Sequence, residues 1–358
     1  MDLINREEKI AIYLRPQTGR FIFDELSAAY LEKAGMSDIL SGVPVPIRKD
    51  QLSDISVLAI ARSMAFIIGC DPRFKYRDNY IAYIIRAFDA RFAQGLIADG
   101  VEAAQREDFL YACVQFRAAQ LIDPQNIDAV YCYGRVCKDL YERGEDEEYI
   151  ARFKAESLEA FEEVTMRRPD FADAYYFLGY GYINLGLYVK AKLTWEEFLR
   201  LSANEEKKQE IAGRLAQLAD PVRIEQGYNM IISGRMQEGI EILEAFTESQ
   251  YSDWWPLWYY LGVAYQEIGQ SERAREAFLK VLRLSPSNTE TMEELVHLYE
   301  EEGNSEKAEK YRRKIALIGE NREQDRLLAA ENRQCSHLPE TENRRHSHLP
   351  GAENKKLS

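Results

Sequence analysis

Leu261, Tyr265, Gly269 and Ala274 recur as Leu295, Tyr299, Gly303 and Ala308, each 34 residues further along the chain. A fixed step that keeps four side-chain types in phase makes neighbouring stretches copies of one structural unit, so it restricts the fold more than composition can. A 34-residue unit has room for two short antiparallel helices and their turns. Residues 172–202, ADAYYFLGYGYINLGLYVKAKLTWEEFLRLS, carry the same internal spacing in Leu178, Gly179, Tyr182, Gly186 and Ala191.

The glycines of that stretch need a reason, because glycine inside a helix costs about 1 kcal/mol relative to alanine. Tyr175, Leu178 and Tyr182 fall on one face of a first helix, at steps of three and four. Gly179 and Ala191 are small where two helices must approach closely, and Trp195 and Phe198 of the second helix fill the space they leave. Gly186 follows the first helix, where a residue able to take positive φ ends it at little cost.

With these features the sequence resembles the tetratricopeptide repeat family, whose pattern is an aromatic, Leu-Gly, Tyr, Gly, Ala, a large aromatic and a final Pro. Residues 255–288 carry nearly all of it in Trp258, Leu261, Gly262, Tyr265, Gly269, Ala274, Phe278 and Pro286. Residues 172–205 match except for Ala203 in place of the proline, and 289–320 have Val296 for the glycine and Arg312 for the aromatic, as a terminal repeat facing solvent tolerates. Weaker copies carry Gly100, Ala103, Ala112, Phe116, Ala119 and Pro124 in 93–126, and Gly134, Phe161, Val164 and Pro169 in 127–171, with extra residues around ERGEDEEYIAR. Residues 220–254 match at Gly227, Gly234 and Leu243, preceded by EEKKQEIAGRLAQLA, read as an added helix. The resemblance implies an all-α right-handed superhelix of five to six hairpins over 93–320, with 55–92 as one more divergent hairpin broken at CDP.

The ends depart from the repeat. In 1–54, KIAIYL and RFIF flank RPQTG, which suits a hairpin or a helix break, and DELSAAYLEKAG reads as a helix ending at Gly35. GVPVPIRKD reads as an extended linker, since proline continues neither a helix nor a central strand. Residues 321–358 are polar, with an 11-residue echo in ENRQCSHLPET and ENRRHSHLPGA, and read as a disordered tail. His337, His346, His348 and Cys335 lie there without a rigid scaffold to make them metal ligands.

Chemistry and partners are narrowed by composition. Sixty acidic against forty-six basic residues leave a net charge of −14, the opposite of the basic face that nucleic acid requires. No stretch offers a membrane span; ISVLAIARSMAFIIGC is broken by Arg62. The N-terminus lacks a signal-peptide core, so a cytoplasmic protein is expected. Five scattered cysteines suit reduced, mostly buried thiols, and Cys132 and Cys137 match no common zinc spacing. The only histidine before 337 is His297, read as a solvated helix residue, and no nucleophile–base pair or phosphate-cradling loop is evident. The expectation is therefore no catalytic residue, no cofactor and no bound metal.

The resemblance also implies which positions line the concave side: the first helices, at the second, fifth, ninth, twelfth and thirteenth residues of each repeat. The fifth is Tyr131, Tyr176 and Tyr259, and the ninth is Arg135, Tyr180, Tyr228 and His297. Two readings of the tyrosines stand, an aromatic track for a ligand or packing between adjacent first helices. In the last repeat Glu290, Glu293, Glu300 and Glu301 take the lining positions, which disfavours a clamp on a peptide carboxylate. The expected function is a protein-interaction scaffold whose groove takes a basic or aromatic peptide; the alternative is a regulator in which peptide binding controls a partner through the N-terminal segment.

Overall fold

The computed structural model describes residues 9–50 and 56–335. In chain order the elements are α1 (Ala11–Leu14), a 3₁₀ turn (Arg15–Arg20), β1 (Phe21–Glu25), α2 (Ala28–Ala34), α3 (Ser37–Leu40), β2 (Pro44–Arg48), α4 (Val57–Cys70), α5 (Arg77–Phe88) and α6 (Phe92–Gln105). Then follow α7 (Phe109–Ile122), α8 (Ile127–Glu142), α9 (Glu147–Arg167), α10 (Ala172–Asn184), α11 (Tyr188–Leu201) and α12 (Glu205–Gln217). The last described elements are α13 (Ala219–Ile232), α14 (Met236–Glu244), α15 (Trp255–Glu267), α16 (Ser271–Leu284), α17 (Thr289–Glu301) and α18 (Ser305–Cys335). Two compact units, residues 1–225 and 226–358, divide the chain within α13.

Local chemistry sets the helix limits. Asp108, Asn126, Asp146, Asn204 and Asn288 each accept a backbone N–H from three residues on, the N-cap arrangement that satisfies a free donor of the first turn. First helices stop where Gly186, Gly234, Gly269 and Gly303 take φ of +72°, +83°, +75° and +71°. After each, the next N–H reaches back five residues, as Leu187 does to the Tyr182 carbonyl and Gln270 to that of Tyr265.

In unit 1 the helices pair as α6 with α7, α8 with α9, and α10 with α11. One contact recurs in every pair: a glycine of the first helix faces a ring or branched side chain of the second. Phe116 lies over Gly100 and Trp195 over Gly179 with a clearance that even a methyl group would violate, and Phe161 lies over Gly134, where a methyl group would make a tight contact at 3.1 Å. The partner stands sixteen residues after the glycine in the first and third pairs and eleven further on in the second. The insertion there lengthens α9 to 21 residues and leaves the lock in place. In unit 2, Leu243 stands sixteen residues after Gly227, and Phe278 sixteen after Gly262.

The N-terminal region takes the helix-break alternative at RPQTG and departs from expectation at GVPVPIRKD. KIAIYL and RFIF do not pair: residues 11–14 are helical, and β1 pairs antiparallel with β2, with Phe21 opposite Arg48 and Glu25 opposite Pro44. GVPVPIRKD is thus largely a strand, and its prolines are tolerated because a two-stranded sheet leaves each strand an unpaired edge. Asn79 donates to the Ile39 carbonyl at 2.7 Å and Tyr80 to that of Pro44 at 2.7 Å. Leu14, Leu40 and Val45 share one core with the helices that follow. Residues 55–92 supply α4 and α5, with CDP between them, and α4 packs on α7 and β2 as well as on α5.

The C-terminal end differs too. The expected tail began at 321, whereas α18 runs on to Cys335; the remainder of that expectation, with His337, His346 and His348, lies outside the described residues. In the last pair Arg312 bonds Glu300 rather than filling the aromatic position. Tyr311, one residue earlier, stacks on Tyr299 at 6.0 Å and 8° between planes.

Candidate functional site

The predicted lining residues fall in both units: Tyr131, Arg135, Tyr176 and Tyr180 in the first, Tyr228, Tyr259, Glu293 and His297 in the second. All five tyrosines are half-buried, whereas Arg135, Glu293 and His297 are exposed.

In unit 1, Tyr131 and Arg135 stand one turn apart on α8. The Tyr131 ring lies 4.7 Å from Phe171, and the Arg135 guanidinium sits 4.4 Å over the ring of Phe177 on α10. Arg135 also donates to the Tyr131 hydroxyl at 3.3 Å. A cation held over an aromatic face is attracted by the ring quadrupole, so α8 and α10 present one mixed aromatic and cationic surface. Phe171 and Phe177 were not among the expected residues.

Tyr176 and Tyr180 meet a neighbour instead. Both hydroxyls donate to Glu210 of α12, Tyr176 at 2.9 Å. Their rings rest on Phe198 and Trp195, at 5.4 and 4.9 Å. Lys207 of α12 pairs with Asp173 at 2.7 Å, and Ile211 is fully buried in a cluster with Ala191, Trp195 and Phe198. Asp173 and Lys207, like Tyr176 and Glu210, are one 34-residue step apart. The expected added helix therefore occupies the place of the next first helix, with Ala212 and Gly213 where the preceding repeat has Leu178 and Gly179. Burial, then the Glu210 carboxylate, pushes the Tyr176 phenol well above its ordinary range and raises that of Tyr180. The hydroxyls and rings of this pair thus contact α12 and α11.

In unit 2, Tyr228 stacks on Tyr260 of α15 at 4.4 Å and 26°. Tyr259 of α15 lies 6.1 Å from Phe278 and faces the acidic side of α17. Burial, followed by the charges of Glu294, Glu290 and Glu293, pushes its phenol up to about 12. Burial also raises Glu294, opposed by His297 and reinforced by Glu293. An acidic, aromatic surface thus joins α15 to α17.

Among the described residues no group of three or more His, Cys, Asp or Glu could hold a metal ion, and no helix is long and apolar enough to cross a membrane. Cys70, Cys113 and Cys137 are free and buried, and Cys132 is free and half-buried.

A search of the curated proteins gives no match. Among solved structures, similarity is found to the TPR domain of P58(IPK), at 17% identity and a TM-score of 0.38, covering 68% of each chain. A tetratricopeptide repeat protein from Parabacteroides merdae aligns at 15% identity and a TM-score of 0.32, over 80% of this chain and 94% of that one. YrrB, described as a TPR protein with an unusual peptide-binding site, aligns at 19% identity and a TM-score of 0.29, over 60% of this chain and 96% of that one. The tetratricopeptide repeat model matches residues 255–288. Those residues hold Gly262 beneath Phe278, and the same approach of a glycine to a side chain of the following helix recurs at Gly100, Gly134, Gly179 and Gly227: residues 255–288 are a tetratricopeptide repeat, and other hairpins of the chain repeat its packing.

Proposed function

We propose that the chain is a non-catalytic protein-interaction scaffold whose first helices take a peptide or partner segment of basic or aromatic character. The observation that carries this reading is the surface between α15 and α17, where half-buried Tyr259 and Tyr260 lie beside Glu290, Glu293 and Glu294. Tyrosine offers a flat apolar face with little rotamer entropy to lose, and clustered carboxylates attract a cationic segment and set its register. The proposed partner-facing set is Tyr131, Arg135, Tyr228, Tyr259, Glu293 and His297, with Tyr176 and Tyr180 reached only where the Glu210 contacts are exchanged. Calorimetric titration of the full chain with a Lys- and Trp-containing peptide and with an acidic peptide of equal length tests this. The basic peptide should bind more tightly, lose affinity as salt rises, and weaken about tenfold in Glu290→Lys/Glu293→Lys. Equal or tighter binding of the acidic peptide would refute it.

A second reading, peptide-gated regulation through the N-terminal segment, is favoured by how that segment is attached. Arg152 of α9 donates to the Lys9 carbonyl, and the Tyr13 ring packs 4.9 Å from Tyr149 and 5.8 Å from Phe153 on the same helix. A ligand that moved α9 would move the N-terminal segment with it. Peptide-dependent change in proteolysis of residues 9–50 supports this second reading, and its absence at saturating peptide leaves the plain scaffold.

A further inference from the structure

Away from the inner faces, unit 1 holds a cavity of about 210 Å³ in which three arginines converge on one side of α4. Arg20 and Arg48 come together because β1 and β2 pair with Phe21 opposite Arg48, and Lys49 N–H bonds the Arg20 carbonyl. Arg62 stands on α4, whose N-terminus is capped by Ser56 and opens into the same space. Tyr111 and Gln115, one turn apart on α7, close the far wall. Phe21 and Phe66, rings 5.5 Å apart, complete the lining.

Two of the cations have exposed or rim partners: Arg48 holds Asp50 through two bonds of 3.0 and 2.7 Å, and Arg62 meets Asp99 at 3.3 Å. Arg20 bonds the backbone and side chain of Gln17 and lies 5.2 Å over the Phe66 ring. Three guanidinium groups against two carboxylates leave the cavity cationic in a chain of net charge −14. The independent sign of a ligand is Gln115. The residue is 3% exposed and lines the cavity; its side chain hydrogen-bonds Tyr111, one turn back, and its Oε1 has no hydrogen-bond partner. Leaving a buried acceptor unpaired is costly, and a ligand hydroxyl or a water that reaches it supplies the donor. Among the described lining residues there is no histidine, carboxylate or cysteine, so the groups present bind rather than react.

We propose that this cavity is a binding site for a small hydroxylated oxyanion, a hydroxy acid or a phosphorylated polyol. The arginines and the amides at the start of α4 take the carboxylate or phosphate. Gln115 Oε1 accepts from the hydroxyl. The volume equals about seven waters at liquid density, well below the ≈ 300–1,000 Å³ of sites for drug-sized ligands, so a nucleotide does not fit inside.

Calorimetry on the full chain with two matched pairs tests the proposal: malate against succinate, and glycerol 3-phosphate against propyl phosphate. Each pair differs by hydroxyl content at constant anion type, and comparison of the pairs tells carboxylate from phosphate. The hydroxylated member of one pair should bind about tenfold more tightly than its partner, the scale of one hydrogen bond to a buried group. Gln115→Leu should erase that preference. Arg20→Gln and Arg62→Gln, at exposed positions that leave the core untouched, should each weaken both members about tenfold. No binding by either pair, a hydroxyl preference that survives in Gln115→Leu, or affinity unchanged in the arginine variants would overturn the assignment.

Discussion

Replacing Gly179 by alanine adds one methyl group, and the structure says where it must go. The new Cβ would stand 2.1 Å from Trp195 Nε1 and 2.3 Å from Cδ1, inside any permissible contact. The indole is fully buried and its N–H donates to the Tyr176 carbonyl at 3.1 Å, so a shift large enough to relieve the clash also breaks that bond. Overpacking costs about 1–3 kcal/mol, and an orphaned buried donor adds about 1–3 kcal/mol. The better helix propensity of alanine returns about 1 kcal/mol. A net loss of about 3 kcal/mol follows, measured by urea unfolding followed by far-ultraviolet circular dichroism. Gly213 is the control, because it is also inside a helix but has nothing within 4 Å of its would-be Cβ. Gly213→Ala should therefore stabilise by up to about 1 kcal/mol. In a Trp195→Ala background the clash is gone, and Gly179→Ala should turn neutral or stabilising, a coupling of about 3 kcal/mol. If Gly179→Ala behaves like Gly213→Ala, or if no coupling to Trp195 is seen, the clearance argument fails.

Glu210→Ala removes the acceptor of both Tyr176 and Tyr180 and should cost about 1–2 kcal/mol, reduced from buried values by the exposure of Glu210. Spectrophotometric titration should then show two phenols ionising at lower pH than in the parent, because the carboxylate that disfavours their ionisation is gone. Glu294 gives a pH signature of the opposite sign to an ordinary ion-paired carboxylate. Burial holds its folded-state value above the unfolded one, so in the window between them the folded chain binds more protons and stability rises as pH falls. Glu294→Gln should abolish that rise, whereas the contribution of Glu244, held low by Tyr265 and Arg273, is lost only on further acidification. Denaturant midpoints across this range test both statements.

The hairpins were legible because the information lies in side-chain size at fixed separations: a glycine and the bulky residue sixteen positions later report the same close approach wherever they recur. Where one member is missing, legibility falls. Gly213 keeps the 34-residue step from Gly179, but no bulky partner covers it, so α12 reads as an added helix until Glu210 and Lys207 are seen meeting Tyr176 and Asp173. At the last repeat the ring has moved from 312 to 311. The pairing of β1 with β2 joins segments with two helices between them, and Pro44 and Pro46 look like breakers until the free sheet edge is visible. Residues 321–335 lack an apolar period, yet RLLAAENRQ is made mostly of strong helix formers, and α18 continues through it. The arginine cavity could not be read at all, since it assembles positions 20, 48, 62 and 115 from four separate elements.

Amide hydrogen exchange with and without the Lys- and Trp-containing peptide tests the inner-face account most directly. Protection should appear on the first helices α15 and α17, centred on Tyr259 and Glu293, and should vanish in Glu290→Lys/Glu293→Lys. Protection confined to the second helices α14 and α16, or surviving the charge reversal, would contradict it.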